Sequence, residues 1–231
     1  QFQLGKSVIV LKSGVDLVSI VDEVVNDLAF KAEHKGVKLN FDNPFGALRQ
    51  SSGQAAQGKP KKEIKVKADR EKLKAALFNI IDNAVKYTPK GEVNVTIKEQ
   101  ENGKVLVVTR DSGIGIKREQ LEKIFSQMFE RSEEAKKIAS VGSGVGLYLS
   151  GEIVKSHHGR AWAQSDGEGK GSTFFVELPL DDGKPVTPPN VAANGQSAPA
   201  FTKATTPDVA PVSFVKSVAP TSQPGKEKLR I

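Results

Sequence analysis

Two hydrophobic periodicities follow one another along this chain and together limit the folds it can adopt. Apolar residues recur at helical spacing from Leu17 to Leu28, behind Asp16, which can cap a helix, and the pattern stops at Gly36. They then alternate over 37–41, as in a strand with one buried face. Blocks of both kinds continue along the chain without an internal repeat. Such an order predicts a helical layer packed on a mostly antiparallel sheet.

The remaining elements follow from the same two patterns. Asp69 can cap a second helix, and Asn102-Gly103 is a strong signal for a two-residue hairpin turn. In chain order we expect a polar loop at 43–62, the second helix from 69 to about 88, hairpin strands at 93–97 and 105–109, a short helix at 117–125, a polar segment at 126–141, a third helix at about 145–157, and a final hairpin at 160–165 and 172–178. The predicted fold class is α+β, a two-layer α/β sandwich with a mixed, mostly antiparallel sheet and three main helices.

Composition divides the chain into three parts. The last 51 residues hold 8 of the 12 prolines in a Pro/Ala/Thr/Val/Ser mixture, which buries too little apolar surface to offset its chain entropy. We therefore expect a folded domain at 16–180 and a disordered tail at 181–231, with residues 1–15 leading into the domain.

Charge and cysteine content exclude several classes of function. With no cysteine, the chain has no disulfide framework, thiolate nucleophile or zinc-thiolate site. The net charge of +7, from 34 Lys and Arg against 27 Asp and Glu, is scattered along the chain. Its densest run, 59–67, has no interleaved aromatic residue, so we interpret it as a solvated face and predict no nucleic-acid partner. No stretch approaches the roughly 18 consecutive apolar residues of a membrane helix.

The second helix carries an unusual polar face. Asn79, Asn83, Lys86 and Tyr87 are three to four residues apart, so two amides, an ammonium group and a phenol share one side of the helix. Its apolar residues face the other way. A mid-helix amide facing water would be the ordinary interpretation of Asn83 without further evidence.

Two glycine clusters follow that helix. Asp111-Ser-Gly113-Ile-Gly115-Ile116 comes where a strand ends, and Gly142-Ser143-Gly144-Val145-Gly146-Leu147 leads into a helix. Glycine lets a backbone approach a ligand closely, and the free N–H groups and dipole of a helix N-terminus favour phosphate. Neither cluster is a Walker motif or a dinucleotide fingerprint. Each alone is as compatible with a flexible loop.

Taken together and in this order, these blocks resemble the catalytic ATP-binding domain of sensor histidine kinases, in the GHKL superfamily with DNA gyrase and the heat-shock chaperones. Residues 79–88 are similar to its N box, 111–116 to its first glycine box, 125–129 to a degenerate F box and 142–147 to its second glycine box. Gly169-Lys-Gly171-Ser-Thr173-Phe174 resembles its closing strand motif. The resemblance runs from about Asp16 to Pro179 and implies the Bergerat fold of that superfamily.

The resemblance implies ATP and Mg²⁺ as cofactors and assigns roles to residues. Asp111 would accept a hydrogen bond from the adenine amino group, and Asn83 would give its amide oxygen to Mg²⁺. Asn79, Lys86 and Arg131 would be the catalytic residues, with Arg131 in a lid over the γ-phosphate. The implied nucleotide-binding positions are Asn79, Asn83, Lys86, Tyr87, Asp111, Gly113, Gly115, Ile116, Gly142, Ser143, Gly144, Val145, Gly146, Leu147 and Thr173.

One position distinguishes kinases from hydrolases within the superfamily. Gyrase-type ATPases have a glutamate four residues before the Asn83 position, as general base for water, whereas Asn79 here cannot take a proton. We therefore expect transfer of the γ-phosphoryl group to a histidine, followed by relay to a response-regulator receiver domain. His34, His157 and His158 lie in contexts unlike the family's acceptor motif, so we expect the acceptor upstream of Gln1. Residues 1–15 would then be the end of a homodimeric dimerisation domain's helix and its linker.

Two alternatives stay open at this point. The chain could be a GHKL ATPase that is not a kinase, or a degenerate module whose nucleotide gates protein binding. The resemblance places the protein in the cytoplasm, either free or as the cytoplasmic part of a membrane-bound sensor. The polar segment 126–141 would be a lid that orders when nucleotide arrives.

Overall fold

Local capping signals begin the first two long helices and end the first of them at the expected residues. A computed structural model of the chain describes residues 9–43, 63–126 and 145–183. The Asp16 side chain accepts from the Val18 N–H at 3.1 Å, and Gly36, at φ 71°, ends the first helix in the left-handed conformation. Asp69 caps the second helix through the Lys72 N–H at 3.3 Å. Both helix starts predicted from the sequence are confirmed.

The described residues form four helices and seven strands within one compact unit, Gln1–Pro188. The helices are α1 (Leu17–Lys35), α2 (Arg70–Lys86), α3 (Arg118–Leu121) and α4 (Gly146–Ser156). The strands are β1 (Lys12–Asp16), β2 (Val37–Asp42), β3 (Lys65–Ala68), β4 (Gly91–Gln100), β5 (Lys104–Asp111), β6 (Arg160–Gln164) and β7 (Ser172–Pro179). A second unit, Pro189–Ile231, lies outside the described residues.

The main sheet confirms the α+β prediction. Its five strands lie in the order β2-β4-β5-β7-β6; only β2 and β4 pair in parallel, and the other three pairings are antiparallel. The β4–β5 hairpin differs slightly from the prediction, because Gln100 pairs with Lys104 and leaves three residues in the loop. Gly103, at φ 73°, takes the left-handed position that a three-residue loop requires.

The core lies between one face of this sheet and the helices. Strand side chains of alternating positions, such as Ile97, Val107 and Val176, are at most 2% exposed and pack against α1 and α2 residues such as Leu28 and Leu77. Truncating a side chain such as Leu77 to alanine would cost about 2–5 kcal/mol. The result is a two-layer sandwich whose helical layer holds α2 across the sheet.

A second, two-stranded sheet was not predicted. β1 pairs antiparallel with β3. Residues 12–15 of β1 belong to the segment that we expected only to lead into the domain, so the folded part begins at least four residues before Asp16. On the other side of β3, Val66 bridges to Leu180, and the Asp181 N–H donates to the Lys65 carbonyl at 2.8 Å. The expected tail boundary at 181 is therefore a few residues early.

The other boundaries differ by small amounts. α3 covers Arg118–Leu121 and is followed by turns to Ser126, so it is shorter than the predicted 117–125 helix. The third long helix and the final hairpin are confirmed within one or two residues. The polar loop after Asn43, the segment 127–144 and the tail beyond Gly183 lie outside the described residues. In the part of the chain that is described, no helix combines the length and apolarity needed to cross a membrane.

Candidate nucleotide-binding site

The polar face of α2 is present as the spacing predicted. Asn79, Asn83, Lys86 and Tyr87 are all half-buried at one side of the helix, while its apolar residues are buried against the core. The Asn83 Nδ2 donates to the Asn79 carbonyl at 2.7 Å. With that nitrogen engaged by its own helix, Asn83 can offer a cation only its amide oxygen. The Lys86 Nζ lies 5.7 Å from the centre of the Tyr87 ring, in a cation–π contact.

Asp111 is a buried carboxylate at the end of β5. Its residue is 6% exposed, and its Oδ1 accepts from the N–H groups of Gly113, at 2.8 Å, and Ser172, at 3.2 Å. Burial raises the pKa of Asp111 to about 6, against the opposing effect of those two hydrogen bonds. The carboxylate is therefore a buried hydrogen-bond acceptor that is still ionised at neutral pH.

The first glycine cluster joins this carboxylate to the end of α2. The Ile114 N–H donates to the Tyr87 carbonyl at 3.1 Å. A Cβ on Gly113 would overlap that carbonyl and lie 2.8 Å from Asp111 Oδ1, so only glycine fits. Gly115 needs its positive φ of 73°, and a Cβ there would overlap the Gly167 carbonyl. This turn thus places the Asp111 carboxylate close to the backbone carbonyl of Tyr87, at the end of α2.

The loop before β7 is hydrogen-bonded to the first glycine cluster. The Gly171 N–H donates to the Gly113 carbonyl at 3.1 Å, and the Ser165 hydroxyl accepts from the Ile116 N–H at 3.0 Å while donating to the Gly171 carbonyl at 2.7 Å. Ile116 is itself buried. Ser165 was missed by the sequence analysis, since its contact to the glycine cluster is with Ile116, 49 residues away, and no local pattern marks it.

Thr173 is placed differently from the expectation. It pairs with Arg110, and Ser172 pairs with Asp111. Because neighbouring residues of a strand point to opposite faces, Thr173 lies on the face away from Asp111, and the buried Ser172 shares its face. Ser172 is therefore added to the candidate site as the residue beside Asp111, while Thr173 stays a predicted nucleotide-binding residue. Aligning β5 and β7 by their buried alternation could have found Ser172.

The N-terminus of α4 lies beside the polar face of α2. A Cβ on Gly146 would be 3.7 Å from Asn79 Oδ1, and Leu147 packs on the core. Val145, at the N-cap position, makes no side-chain capping hydrogen bond. The N-terminus of this 11-residue helix thus lies near Asn79, and the dipole of a helix favours a negative group there. The other predicted members of this cluster, Gly142, Ser143 and Gly144, lie outside the described residues, as does Arg131.

Two further expectations concern the F box and the metal. Phe125 packs edge-on against Phe174 with ring centres 6.3 Å apart, whereas Phe129 is outside the described residues. Among the described residues, no group of three or more His, Asp or Glu side chains could hold a metal ion. The Asn83 oxygen nevertheless fits Mg²⁺, which prefers oxygen ligands and commonly takes few of them from protein when phosphates are present.

Comparison with known proteins identifies sequences similar to this chain. The family described as "Histidine kinase-, DNA gyrase B-, and HSP90-like ATPase" matches residues 68–182. The sensor histidine kinase WalK of Bacillus subtilis (strain 168) is 38% identical over 125 residues, which are 53% of this chain and 20% of WalK. The aerobic respiration control sensor protein ArcB of Escherichia coli (strain K12) is 31% identical over 164 residues, 71% of this chain and 19% of ArcB. The chain spans about a fifth of the length of these two relatives.

Solved structures share the fold. The mycobacterial sensor histidine kinase MprB has a TM-score of 0.57 at 20% identity, covering 74% of this chain and 98% of the MprB chain. Full-length ShkA, solved in complex with AMPPNP, has a TM-score of 0.59 at 23% identity, covering 78% of this chain and 33% of its own. The α+β sandwich described above is therefore the fold of histidine kinase catalytic domains.

Proposed function

We propose that this chain, in which residues 68–182 belong to the histidine kinase-, DNA gyrase B-, and HSP90-like ATPase family, is the ATP-binding catalytic domain of a sensor histidine kinase. The observation that carries the proposal is the buried Asp111 carboxylate, held by Gly113 and Ser172 and joined through the first glycine turn to the end of α2. A buried acceptor beside a polar helix face suits a purine nucleotide.

Adenine recognition rests on Asp111. At neutral pH its carboxylate only accepts hydrogen bonds, and adenine presents an amino group where guanine presents a carbonyl oxygen. An ionised acceptor facing a carbonyl would be unfavourable, so the site selects adenine over guanine. Tyr87, Gly115 and Ile116 would line the same pocket, with Ser172 beside Asp111 and Thr173 next to it on β7.

The triphosphate would lie between α2 and the N-terminus of α4. The Asn83 oxygen would ligate Mg²⁺, which, when bound, neutralises phosphate charge. Lys86 lies on the same helix face as Asn83 and would contact a phosphate. The N–H groups at the start of α4 would bind phosphate oxygens, together with residues 142–144. Arg131 remains the proposed γ-phosphate contact from the lid.

The reaction is phosphoryl transfer. A histidine nitrogen attacks the γ-phosphorus, the P–N bond forms, and the bond to the bridging oxygen breaks to release ADP. Asn79 supports this direction, because an amide beside the phosphates cannot deprotonate water. We place the acceptor histidine on an upstream homodimeric dimerisation domain and the next acceptor, an aspartate, on a response-regulator receiver domain. Use of ATP places the domain in the cytoplasm.

Nucleotide binding is tested by calorimetric titration with ATP and GTP in the presence of Mg²⁺. We expect the chain to bind ATP and not GTP, and Asp111→Asn to lose ATP binding. The matched control is Asp42→Asn, which changes an exposed carboxylate on the edge strand β2 and should leave ATP binding normal. Equal binding of ATP by Asp111→Asn would contradict the assigned adenine contact, and no ATP binding by the folded wild type would leave a degenerate module.

Transfer is tested with γ-labelled ATP and a separately supplied dimerisation domain that bears the acceptor histidine. We expect acid-labile, alkali-stable label on that domain and little free phosphate. Asn79→Glu should increase the release of inorganic phosphate, since it supplies a base for water. Label appearing only as inorganic phosphate with the wild type would instead identify a hydrolysing ATPase.

A further inference from the structure

The N-terminal cap of α2 is incomplete within its own sequence. Asp69 caps the helix through the Lys72 N–H, but the backbone N–H of Asp69 also needs an acceptor. In a capping box, a Glu or Gln at the third helical position supplies it. Here that position is Lys72, which can only donate. The acceptor comes instead from another helix: Asp69 N–H donates to the His157 Nε2 at 3.0 Å.

His157 is held in one orientation and one tautomer. It is 1% exposed, at the C-terminal end of α4, and its Nδ1 lies 2.7 Å from the Ile153 carbonyl. A carbonyl accepts and a backbone N–H donates, so both contacts are satisfied only by the neutral ring with its proton on Nδ1. The ring thereby links the C-terminal end of α4 to the N-terminal end of α2.

This link is one of three along the two antiparallel helices. Midway, the Ser150 hydroxyl donates to the Ala76 carbonyl at 3.2 Å, and at the far end Gly146 faces Asn79. From Gly146 to His157 the chain advances about 16 Å, and from Asp69 to Asn79 about 15 Å. The lengths match, so the contact at His157 is one of those that fix how far the N-terminus of α4 reaches along α2.

We propose that His157 is a positioning residue for phosphate binding: it completes the cap of α2 from α4 and so holds the N-terminus of α4 beside Asn79. The inference rests on the proposed nucleotide site and deepens it. A slip of α4 by one residue would move its N–H groups by about 1.5 Å, which is enough to misalign hydrogen bonds to a phosphate oxygen. The hydrogen bonds that hold Asp111, where adenine would bind, involve Gly113 and Ser172 and not the contact between His157 and Asp69.

The test compares a ligand with phosphates to one without. We would measure the Kd of Mg-ATP and of adenosine by calorimetry for wild type, His157→Leu, His157→Gln and His158→Asn. His157→Leu should weaken Mg-ATP by about tenfold or more, the usual range for a group that orients a binding residue, and adenosine by less than about twofold. His157→Gln keeps an acceptor and should recover part of the loss. His158→Asn alters the exposed neighbour and should match the wild type.

A second variant separates positioning from stability. Lys72→Glu supplies the missing capping-box acceptor from α2 itself. In the double variant with His157→Leu, we expect the melting temperature to recover while the Mg-ATP affinity stays weak, because the link to α4 is still absent. Recovery of Mg-ATP affinity by Lys72→Glu, or equal weakening of ATP and adenosine in His157→Leu, would overturn the inference. Failure of the wild type to bind either ligand would overturn the proposed function, and this inference with it.

Discussion

Asp111, the proposed adenine contact, is buried at a cost to the stability of the fold. Burial holds its folded pKa near 6, above its ordinary value of 3.8. The folded state then binds more protons than the unfolded state between about pH 4 and 6, so this residue makes the protein less stable as the pH rises through that window. The full cost, at most about 3 kcal/mol, is present above it.

Asp111→Asn should therefore stabilise the protein while removing its affinity for ATP. The amide oxygen can still accept from Gly113 and Ser172, and the buried charge is gone. Thermal unfolding should show little difference from wild type near pH 4 and a melting temperature several degrees higher at pH 8. A variant that melts lower than wild type at pH 8 would show that the ionised carboxylate is not a cost to the fold.

Replacing glycine by alanine should have a large effect on stability at Gly113 and almost none at Gly146. A Cβ on Gly113 meets the Tyr87 backbone and the Asp111 carboxylate, so Gly113→Ala should lose about 1–3 kcal/mol of unfolding free energy and weaken adenosine binding. The nearest atom to a Cβ on Gly146 is 3.7 Å away, so Gly146→Ala should change stability by less than about 0.5 kcal/mol. Urea denaturation measures the unfolding free energy of each variant. Equal values for the two would contradict the close approach of a Cβ at Gly113 to its neighbours.

At the scale of elements, α1 completes the C-terminus of α2. That helix ends at Tyr87 with φ −94°, without a left-handed glycine cap. The Lys35 Nζ instead donates to the carbonyls of Val85, at 2.8 Å, and Lys86. Its partial burial, followed by the charge of Lys31, lowers the pKa of Lys35. The last turn of the helix that carries Lys86 and Tyr87 is thus held from another helix.

Lys35→Met should destabilise the protein by about 1–3 kcal/mol, since two carbonyls lose a charged donor. Lys31→Met is the matched control, because Lys31 is a neighbouring, exposed α1 lysine paired with Asp82, and it should cost less than about 0.5 kcal/mol. Chemical denaturation distinguishes them. If Lys31→Met costs as much as Lys35→Met, the hydrogen bonds to α2 are not what Lys35 contributes.

At the scale of the whole domain, the first and last described strands are held together through β3. β1 pairs with one edge of β3, and Leu180 and Asp181 contact the other. The Asp181 carboxylate also accepts from the Gly14 N–H at 2.6 Å. The segment that leads into the domain and the one that leaves it are therefore both hydrogen-bonded to β3.

A chain ending at Gly183 should melt within about 1 °C of the 231-residue chain, and one ending at Pro179 several degrees lower. The shorter chain loses the Leu180 and Asp181 backbone hydrogen bonds and the contact to Gly14, at about 1 kcal/mol each. Differential scanning calorimetry of the three chains checks this. Equal melting of the two truncated chains would mean that residues 180–183 do not contribute to the folded domain.

The sequence alone predicted the long helices, the strands of the main sheet and the residues of the candidate site, because the signals involved are local. Asp16, Asp69 and Gly36 begin or end helices through contacts within a few residues, and the spacing from Asn79 to Tyr87 places four polar groups on one face whatever the helix packs against. Two-residue alternation likewise located the main-sheet strands.

Strand register, the pairing of β1 and the contacts at the ends of α2 depend on residues far apart in sequence, and they could be found only from the folded structure. Ser172 rather than Thr173 accompanies Asp111 because strand register flips a side chain with every residue, and register is a property of two strands together. β1, too short and polar to show a pattern, is a strand because β3 pairs with it. His157 and Lys35 cap α2 from 88 and about 50 residues away, where no sequence spacing relates donor to acceptor. Backbone groups at helix ends must find partners, but which side chain supplies them is settled only when the helices pack.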